Sequence, residues 1–422
     1  MVSLLYATNI GQDINCAGTF LPELPMRLGH NAALDASAAA FASTMTCIRS
    51  RSKASEPVRD KYVTAIKAVQ SAVAKSSTAY MVETLCSILL IASCQSWMAA
   101  SNELTPSHGM GMGHLLDVLL DQDPSCDMFL FQVVRSATNA VVLESMFNPS
   151  VQPQPWIHKL TKRNFQARLP VLNPQTLEVR EKKVIWLPTM DDVNLLLLPD
   201  LLRQPNKDIQ RIQELYIMSQ EDYKKVSQYR NTCFLQKDRL TCLPPEAVSL
   251  LASCNEIKSI LLAVGIALNT LLRDVYPHDL ELKKDIDGFF ADTISLAEDL
   301  KMELPMGAVY LPLTLVAGWL ASDDDMYQAH LKQLFEDYKG GYAMSEFIRR
   351  VSHWRDAPQS LIDEFSWFPR PAISVEGPTG SDEARSGDVE GLFYGGLDSF
   401  CGKQHSQRGE SGTTLYSAVL II

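Results

Sequence analysis

The chain has 422 residues and a formal net charge of −11 at pH 7, with 46% hydrophobic and 21% charged residues. This balance is typical of a globular protein and excludes collagen, coiled-coil rods and wholly disordered chains. The acidic charge also argues against a basic surface that coats nucleic acid.

The cysteines and the longest apolar runs indicate the cellular compartment of the protein. The nine cysteines are irregularly spaced and include no Cys-x-x-Cys pair, so we expect reduced, mostly buried thiols and no zinc site. The apolar runs Ser87–Ala92 and Ser259–Leu272 are shorter than the roughly 20 residues that cross a membrane. Because Met1–Cys16 also lacks the pattern of a signal peptide, we expect a soluble, intracellular protein without a membrane partner.

The first third of the chain is dominated by helical periodicity. The spacing of apolar residues predicts helices over Leu34–Ile48, Pro57–Lys75, Thr78–Ala99, His114–Leu120 and Asp127–Met146. The second of these has an apolar stripe, with Ser55 as its start signal. The third is apolar on nearly all sides, which predicts a central buried helix.

Residues 149–206 have a different composition. Eight prolines in this stretch would interrupt any long helix, so we predict an irregular connector that lies over the helical core. Two short apolar pieces, Val184–Leu187 and Leu195–Leu198, are expected to pack down onto that core.

Helical patterns resume after the connector. The predicted helices are Ile209–Tyr229, Glu246–Val275, Asp285–Leu300, Gly307–Ala321, Asp323–Tyr338 and Met344–Trp354. Ile209–Tyr229 is polar and is expected to face solvent, whereas Ser322 is expected to cap the helix that follows it. No strand alternation persists, so we predict an all-α, multi-helix, orthogonal or solenoid-like fold, followed by a disordered tail over 369–422.

The stretch from His108 to His114, with Gly109, Gly111 and Gly113 between its histidines, is the most conspicuous motif. It lacks the Lys-Ser/Thr ending of a phosphate-binding loop, and no strand is predicted before it, which weakens a dinucleotide site. Histidines six residues apart lie on different faces of a helix, which weakens a metal site. We therefore favour close helix packing at these glycines.

Acidic pairs and clusters suggest, at first, magnesium-dependent chemistry. Asp191-Asp192 and Asp323-Asp324-Asp325 lack the later acid that a terpene-cyclase motif needs, because Leu195 and Gln328 occupy its place. Helix capping explains them more simply. The chain also has no Gly-x-Ser-x-Gly and no His-Glu-x-x-His sequence. We accordingly assign no catalytic, cofactor-binding or metal-binding residue, expect no cofactor, and do not predict an enzyme.

Four loosely patterned segments follow one another along the chain. They are the Ala-rich helix Leu34–Ala42, the helix with Tyr62, Ala65, Ile66 and Val69, the apolar helix Thr84–Leu90 followed by His108, Gly111, Leu115 and Leu116, and Pro305–Gly307 followed by an apolar helix to Trp319. Their order and spacing resemble the fungal-specific transcription factor domain, the helical regulatory region of fungal zinc-cluster regulators. The resemblance covers about Leu28 to Phe368.

The resemblance implies a domain organisation and a function. It implies a helical regulatory domain over 28–368, preceded by a segment, 1–27, that lacks the six-cysteine zinc cluster. The residues that match its motifs, and that would serve helix packing, are His108, Gly111, Leu115, Leu116, Pro305 and Gly307. It implies a nuclear regulator, which we expect to control a secondary-metabolite gene cluster through contacts with other regulators, with a second copy or with a small hydrophobic ligand. Without the zinc cluster we do not expect direct reading of DNA.

Two other functions remain open at this level. An apolar pocket between helices can steer a reaction with few polar groups, so a repurposed helical domain that binds or converts a hydrophobic metabolite is the second hypothesis. A scaffold or heterodimer partner of a zinc-cluster protein is the third.

Overall fold

The computed structural model describes residues 14, 18–50, 52, 55–79, 81–98, 109–121, 127–147, 151, 156, 159, 168–172, 179–237, 245–304, 308, 311–322 and 324–339. The predicted helix Met344–Trp354 and the predicted tail 369–422 lie outside these residues.

The described part of the chain is all-α, as predicted, with one small hairpin. Its α-helices are α1 (Ala32–Arg49), α2 (Glu56–Val73), α3 (Ser76–Ala79), α4 (Val82–Met98), α5 (Gly109–Leu119), α6 (Met128–Phe147), α7 (Asp192–Leu195), α8 (Leu198–Arg203), α9 (Ile209–Lys237), α10 (Pro245–Val275), α11 (Leu280–Leu300), α12 (Leu311–Ala321) and α13 (Asp325–Lys339). The strands are β1 (Arg168–Leu172) and β2 (Val179–Trp186).

The N-terminal half packs α1 against α2 and α4, α4 against α6, and α5 against α6. The 3-10 helix Leu21–Arg27 adds the buried side chains of Leu21 and Leu24 to the same core. Helix α1 begins where the side chain of Asn31 accepts hydrogen bonds from the backbone N–H groups of Ala33 and Leu34, at 3.0 and 3.1 Å. These bonds satisfy two of the donors that a helix N-terminus leaves free.

Helix α4 is the buried helix that its uniform apolarity predicts. Most of its side chains from Leu85 to Cys94 are buried, including the free cysteines Cys86 and Cys94. Burial is the main reason that the pKa of the Cys94 thiol rises to about 12. Cys254 in α10 is also free and buried. The burial of Cys86, Cys94 and Cys254 confirms that these three cysteines serve as small apolar residues.

Helix α10 is the centre of the C-terminal half and packs against α9, α11 and α12. Its segment Leu250–Val275 has the length and mean hydropathy, 1.5, of a membrane span. The apolar run is therefore longer than the predicted run Ser259–Leu272. However, 78% of the apolar window is buried inside the described structure, which is the environment of a core helix.

Helix α9 corrects the expectation that its polar sequence faces solvent. It makes one of the two most extensive helix–helix contacts in the described structure, against α10. Its buried face combines apolar residues with polar ones: Ile212, Leu215, Tyr216, Ser219, Asp222, Tyr223, Val226 and Arg230. Because polar side chains can be buried when they are hydrogen-bonded, polarity alone did not indicate exposure.

The connector contains a hairpin where the sequence predicted no strand. Strands β1 and β2 pair antiparallel, with an irregularity in register between Pro170 and Val171. A proline within an apparent strand argues against regular pairing, and it is tolerated here because the register breaks beside it. The connector is therefore less irregular than expected.

Most of the described apolar residues of the connector after the hairpin pack onto the core. Leu187, Leu195, Leu196 and Leu198 are buried as expected, whereas Val184 is 49% exposed. The short helix α8 contacts both α6 and α10, so the connector joins the two halves of the described core.

A buried carboxylate fastens the connector to α9. Asp222 is fully buried and accepts a hydrogen bond from the backbone N–H of Thr189 at 2.8 Å. Its other oxygen binds the Lys225 ammonium at 2.8 Å. The connector carbonyl of Pro188 accepts a further bond, from the side chain of Asn194, at 2.7 Å.

The N-cap of α13 is Asp324 rather than Ser322. The Asp324 carboxylate accepts bonds from the N–H groups of Met326 and Tyr327, at 2.7 and 3.3 Å. Ser322 instead accepts a bond from the N–H of Asp324, one step earlier. The acid is the better cap because its charge also complements the helix dipole.

We expect Asp222→Ala to lower the free energy of unfolding by about 1–3 kcal/mol, because the Thr189 N–H loses its acceptor inside the protein. Urea unfolding measures the change. Glu221→Ala, one residue away at an exposed position, is the control and should cost much less. Equal losses in the two variants would contradict the connector contact.

Candidate functional site

The residues that carry the family resemblance lie in the core where the structure describes them. Leu115 and Leu116 of α5 are 4% and 0% exposed, and Gly111 is half-buried. His108, Pro305 and Gly307 lie outside the described residues. The role of the set in helix packing therefore stays a prediction.

The glycines on either side of Gly111 allow close approach of the connector. A Cβ atom on Gly113 would lie 3.0 Å from Trp156 Nε1, and one on Gly109 would lie 2.8 Å from Val151 Cγ1. The N–H of Gly109 also donates to Glu144 Oε2 at 3.1 Å. These neighbours are connector side chains and a carboxylate of α6, so Gly109 and Gly113 leave room for close contacts at these two positions.

The acid clusters act as local anchors where the structure describes them. The Asp191 carboxylate accepts a bond from Trp186 Nε1 at 3.0 Å, and its carbonyl accepts the N–H groups of Asn194 and Leu195. Asp324 caps α13. No group of three or more His, Cys, Asp or Glu side chains with the geometry of a metal site occurs among the described residues.

Helices α9 and α11 are joined by a series of hydrogen bonds between buried side chains of α9 and partly buried or exposed aspartates of α11. Three side chains of α9, each seven residues from the next, bind three aspartates of α11 that are also seven residues apart: Tyr216 with Asp285, Tyr223 with Asp292, and Arg230 with Asp299. Each pair is separated by 69 residues in sequence, so the two helices run parallel. We call these six residues, with Asn255, Lys258 and Asn269 of α10, the polar ladder.

The first layer of the ladder is centred on the Tyr216 hydroxyl. It donates to Asp285 Oδ2 at 2.8 Å and accepts from Gln220 Nε2 and Asn269 Nδ2, at 3.0 and 2.9 Å. Burial raises the pKa of Tyr216 above its ordinary value, so the hydroxyl keeps its proton. The second amide proton of Asn269 binds the carbonyl of Leu282. This layer therefore ties three helices together.

The second layer contains a buried amine. The Tyr223 hydroxyl donates to Asp292 Oδ2 at 2.7 Å, and Lys258 Nζ lies 5.4 Å from the centre of the Tyr223 ring. Burial and then the neighbouring Arg230 lower the pKa of Lys258, although Asp292 and Asp299 oppose this. Burial also raises the pKa of Tyr223, as does its bond to Asp292.

The third layer is organised by Arg230, which is 3% exposed. Its Nε donates to Asn255 Oδ1 at 2.7 Å, and its Nη1 binds Asp299 Oδ2 at 3.2 Å. The side-chain amide of Asn255 in turn donates to the buried Glu303 at 2.9 Å. The guanidinium thus carries its charge into the protein with acceptors on two other helices.

An aromatic ring lies between the first two layers. Phe289 of α11 makes edge contacts with Tyr216 and Tyr223, at centroid distances of 6.3 and 6.4 Å. A Cβ atom on Gly265 of α10 would lie 3.1 Å from Phe289 Cζ, so the glycine makes room for the ring. Phe289 therefore packs against the first two layers of the ladder, whereas the Asp299 side chain of the third layer is 51% exposed.

The ladder was not predicted, although its residues had a visible signal. Heptad spacing of Asp285, Asp292 and Asp299 places them on one face of a helix, and the same spacing holds for Tyr216, Tyr223 and Arg230. The two series could have been matched to each other before the structure was known.

No model of a known protein family matches the chain, and neither a curated protein nor a solved structure matches it.

We expect Tyr216→Phe to lower the free energy of unfolding by about 1–3 kcal/mol, because fully buried Asn269 loses a hydrogen-bond partner. Urea unfolding is the measurement. Tyr276→Phe is the matched control, since the Tyr276 side chain is 40% exposed and its hydroxyl accepts one bond, from Gln213. The control should be nearly neutral; a larger loss in the control would contradict the ladder.

The lowered pKa of Lys258 predicts a pH dependence of stability. The folded protein releases the Lys258 proton at a lower pH than the unfolded chain, whose lysine has the ordinary pKa of 10.5. Between the two values the unfolded chain binds more protons, so the Lys258 contribution to the free energy of unfolding rises with pH. Any cost of burying the ammonium is therefore greatest at lower pH.

Lys258→Met removes this titration while keeping a similar side-chain volume. We expect the difference in unfolding free energy, variant minus wild type, to fall as the pH rises from about 7 to about 10. Urea titrations of both proteins across that range measure it. A difference that is constant with pH would refute the lowered pKa of Lys258.

Proposed function

We propose that the protein is a nuclear regulator similar to the regulatory domain of fungal zinc-cluster transcription factors. It controls expression of a secondary-metabolite gene cluster. It acts through contacts with other regulators, with a second copy of itself or with a small hydrophobic ligand, and it does not read DNA directly.

One observation motivates this proposal: the apolar segments on which the resemblance is based lie in helices where the structure describes them. The Ala-rich segment forms α1, the Tyr62 segment forms α2, the apolar helix and the Leu115-Leu116 pair fall in α4 and α5, and the late apolar segment forms α12. Side chains from all of these belong to one continuous hydrophobic core. An ordered set of helices around one core supports a regulatory domain that works as a unit.

The polar ladder is consistent with a contact scaffold. Its hydroxyl, amide, guanidinium and carboxylate groups bond mainly to each other across α9, α10 and α11. Such pairing fixes the register of helices and so holds an outer surface in shape for a partner.

Deletion of the gene in its host tests the regulatory proposal. We expect transcripts of one metabolite gene cluster to change and to return when the wild-type gene is restored, because the protein acts on expression. RNA sequencing of the deletion, restored and parent strains measures this. Unchanged transcripts in the deletion strain would remove the regulatory function.

A second candidate is that the domain binds or converts a hydrophobic metabolite. The observation that favours it is Lys258, a buried amine with a lowered pKa in the second layer of the ladder. Perturbed titratable groups in protected surroundings are typical of reactive sites. Metabolite profiling of the same deletion strain separates the candidates, since a stalled intermediate with normal transcripts supports this one.

A further inference from the structure

Helix α13 runs alongside α11 in the same direction and ends beside its last turns. Near the start of α13, the Tyr327 ring contacts the Phe290 ring at a centroid distance of 5.3 Å. Near its end, the Tyr338 hydroxyl donates to the Ala297 carbonyl at 2.6 Å. Because the last residue of α13 is Lys339, the chain that follows starts from the C-terminal end of α11.

This end of α11, with the turn that follows it, has an exposed and mainly acidic surface. The Glu298 and Asp299 side chains are 50% and 51% exposed, and Met302 is 90% exposed. Lys301 Nζ binds Glu298 at 2.9 Å and Asp337 of α13 at 3.0 Å. We call these five residues the end face. Three carboxylates against one ammonium give it an excess of negative charge, beside a large apolar side chain that contacts water.

The side of α11 that leads away from the end face is also exposed, and it carries small residues. Gly288, Ala291 and Ser295 recur every three or four residues with Glu298, so the four lie on one side of the helix. A Cβ atom on Gly288 would meet no described atom within 4 Å. Small side chains let a second helix approach closely, because the distance between helix axes depends on the side chains at the contact.

The chain after α13 contains a segment with the opposite charge. The apolar residues of the predicted helix Met344–Trp354 fall on one stripe: Met344, Phe347, Ile348, Val351 and Trp354. Arg349, Arg350 and Arg355 supply positive charge in and next to this helix, against the single acid Glu346. The segment is therefore amphipathic and basic, and it complements the end face in both charge and apolar character.

The link between α13 and this segment restricts where the segment can lie. Residues 340–343 begin with two glycines, which suit the end of a helix and a reversal of the chain. Helices joined by so short a link are typically antiparallel neighbours. The steps from Lys339 to Met344 reach at most about 18 Å, and the predicted helix is about 16 Å long. The segment can thus run back along α11 from Met302 to about Ala291.

We propose that Met344–Trp354 is a helix that docks on the end face and runs back along the exposed side of α11. Its apolar stripe covers Met302 and the small residues, and its arginines approach the carboxylates of the end face. The C-terminal end of a helix also favours positive charge. Docking shelters Asp299, which binds the buried Arg230, and so completes the third layer of the ladder. This inference depends on neither of the proposed functions.

Hydrogen–deuterium exchange of the full chain, read out by peptide mass spectrometry, tests the docking. We expect the amides of Met344–Trp354 to exchange at least about tenfold more slowly than in the same protein unfolded in urea, because a docked helix opens only rarely. Val351→Asp places a charge in the apolar stripe and should abolish this protection. Ser352→Asp is the matched control, since its position lies outside the stripe, and it should keep the protection.

A second pair of variants tests the surface on α11. Met302→Asp should release the segment and raise its exchange to nearly the unfolded rate, because the apolar contact is lost. Met326→Asp is the matched control, since Met326 is 81% exposed at the other end of α13, and it should leave the segment protected. Both replaced side chains are exposed, so we expect both variants to fold.

The wild-type protein alone can reject the docking, if Met344–Trp354 exchanges at its unfolded rate. Protection that survives Val351→Asp or Met302→Asp, or that is lost equally in the controls, would also overturn it. Protection that disappears on dilution, together with a dimer in size-exclusion chromatography, would show contact with a second copy and would reject docking within one chain. Transcripts and metabolites of the deletion strain test the proposed functions separately.

Discussion

Burial of polar groups on α9 is the constraint on which the C-terminal half depends. Tyr216, Tyr223 and Arg230 lie inside the protein, where an unpaired polar group destabilises the fold by about 1–3 kcal/mol. Each meets an aspartate of α11, and α10 supplies Asn255 and Asn269 between them. Since the partners are fixed in position, the hydrogen bonds select one register for three helices that apolar packing alone would leave free to slide.

Apolar packing and polar pairing have different roles in this protein. The apolar faces of α4 and α10 are buried without needing a specific polar partner. The short helix α8, which contacts α6 and α10, joins the two halves of the described core. The ladder and the Asp222 contact then specify which surfaces meet. A buried amine remains at the second layer, where two cations lie near each other and Lys258 is bound by an aromatic face.

The periodicity of apolar residues was sufficient to predict the helices that are buried by apolar side chains alone. The predicted Glu246–Val275 and the observed α10 agree closely, as do the predicted and observed bounds of α1, because a long apolar stripe needs no knowledge of its partner. Helix α9 was misread because its buried tyrosines and Arg230 are stabilised by residues 69 positions later. The hairpin was not predicted because Pro170 interrupts the strand pattern of β1. The Asp324 cap was not predicted because Ser322, two residues earlier, can also accept a hydrogen bond from a backbone N–H.

The constant separation of 69 residues between the paired side chains of the ladder has a consequence for how the sequence of this fold can diverge. Core leucines can exchange with isoleucine or methionine at little cost, so overall similarity between relatives can vanish while the fold persists. The acceptors on α11 and the donors on α9 cannot be substituted independently, because a change in one leaves the other without its hydrogen-bond partner. Distant relatives should therefore be recognisable as two coupled heptad series, even where their apolar residues have become unalignable.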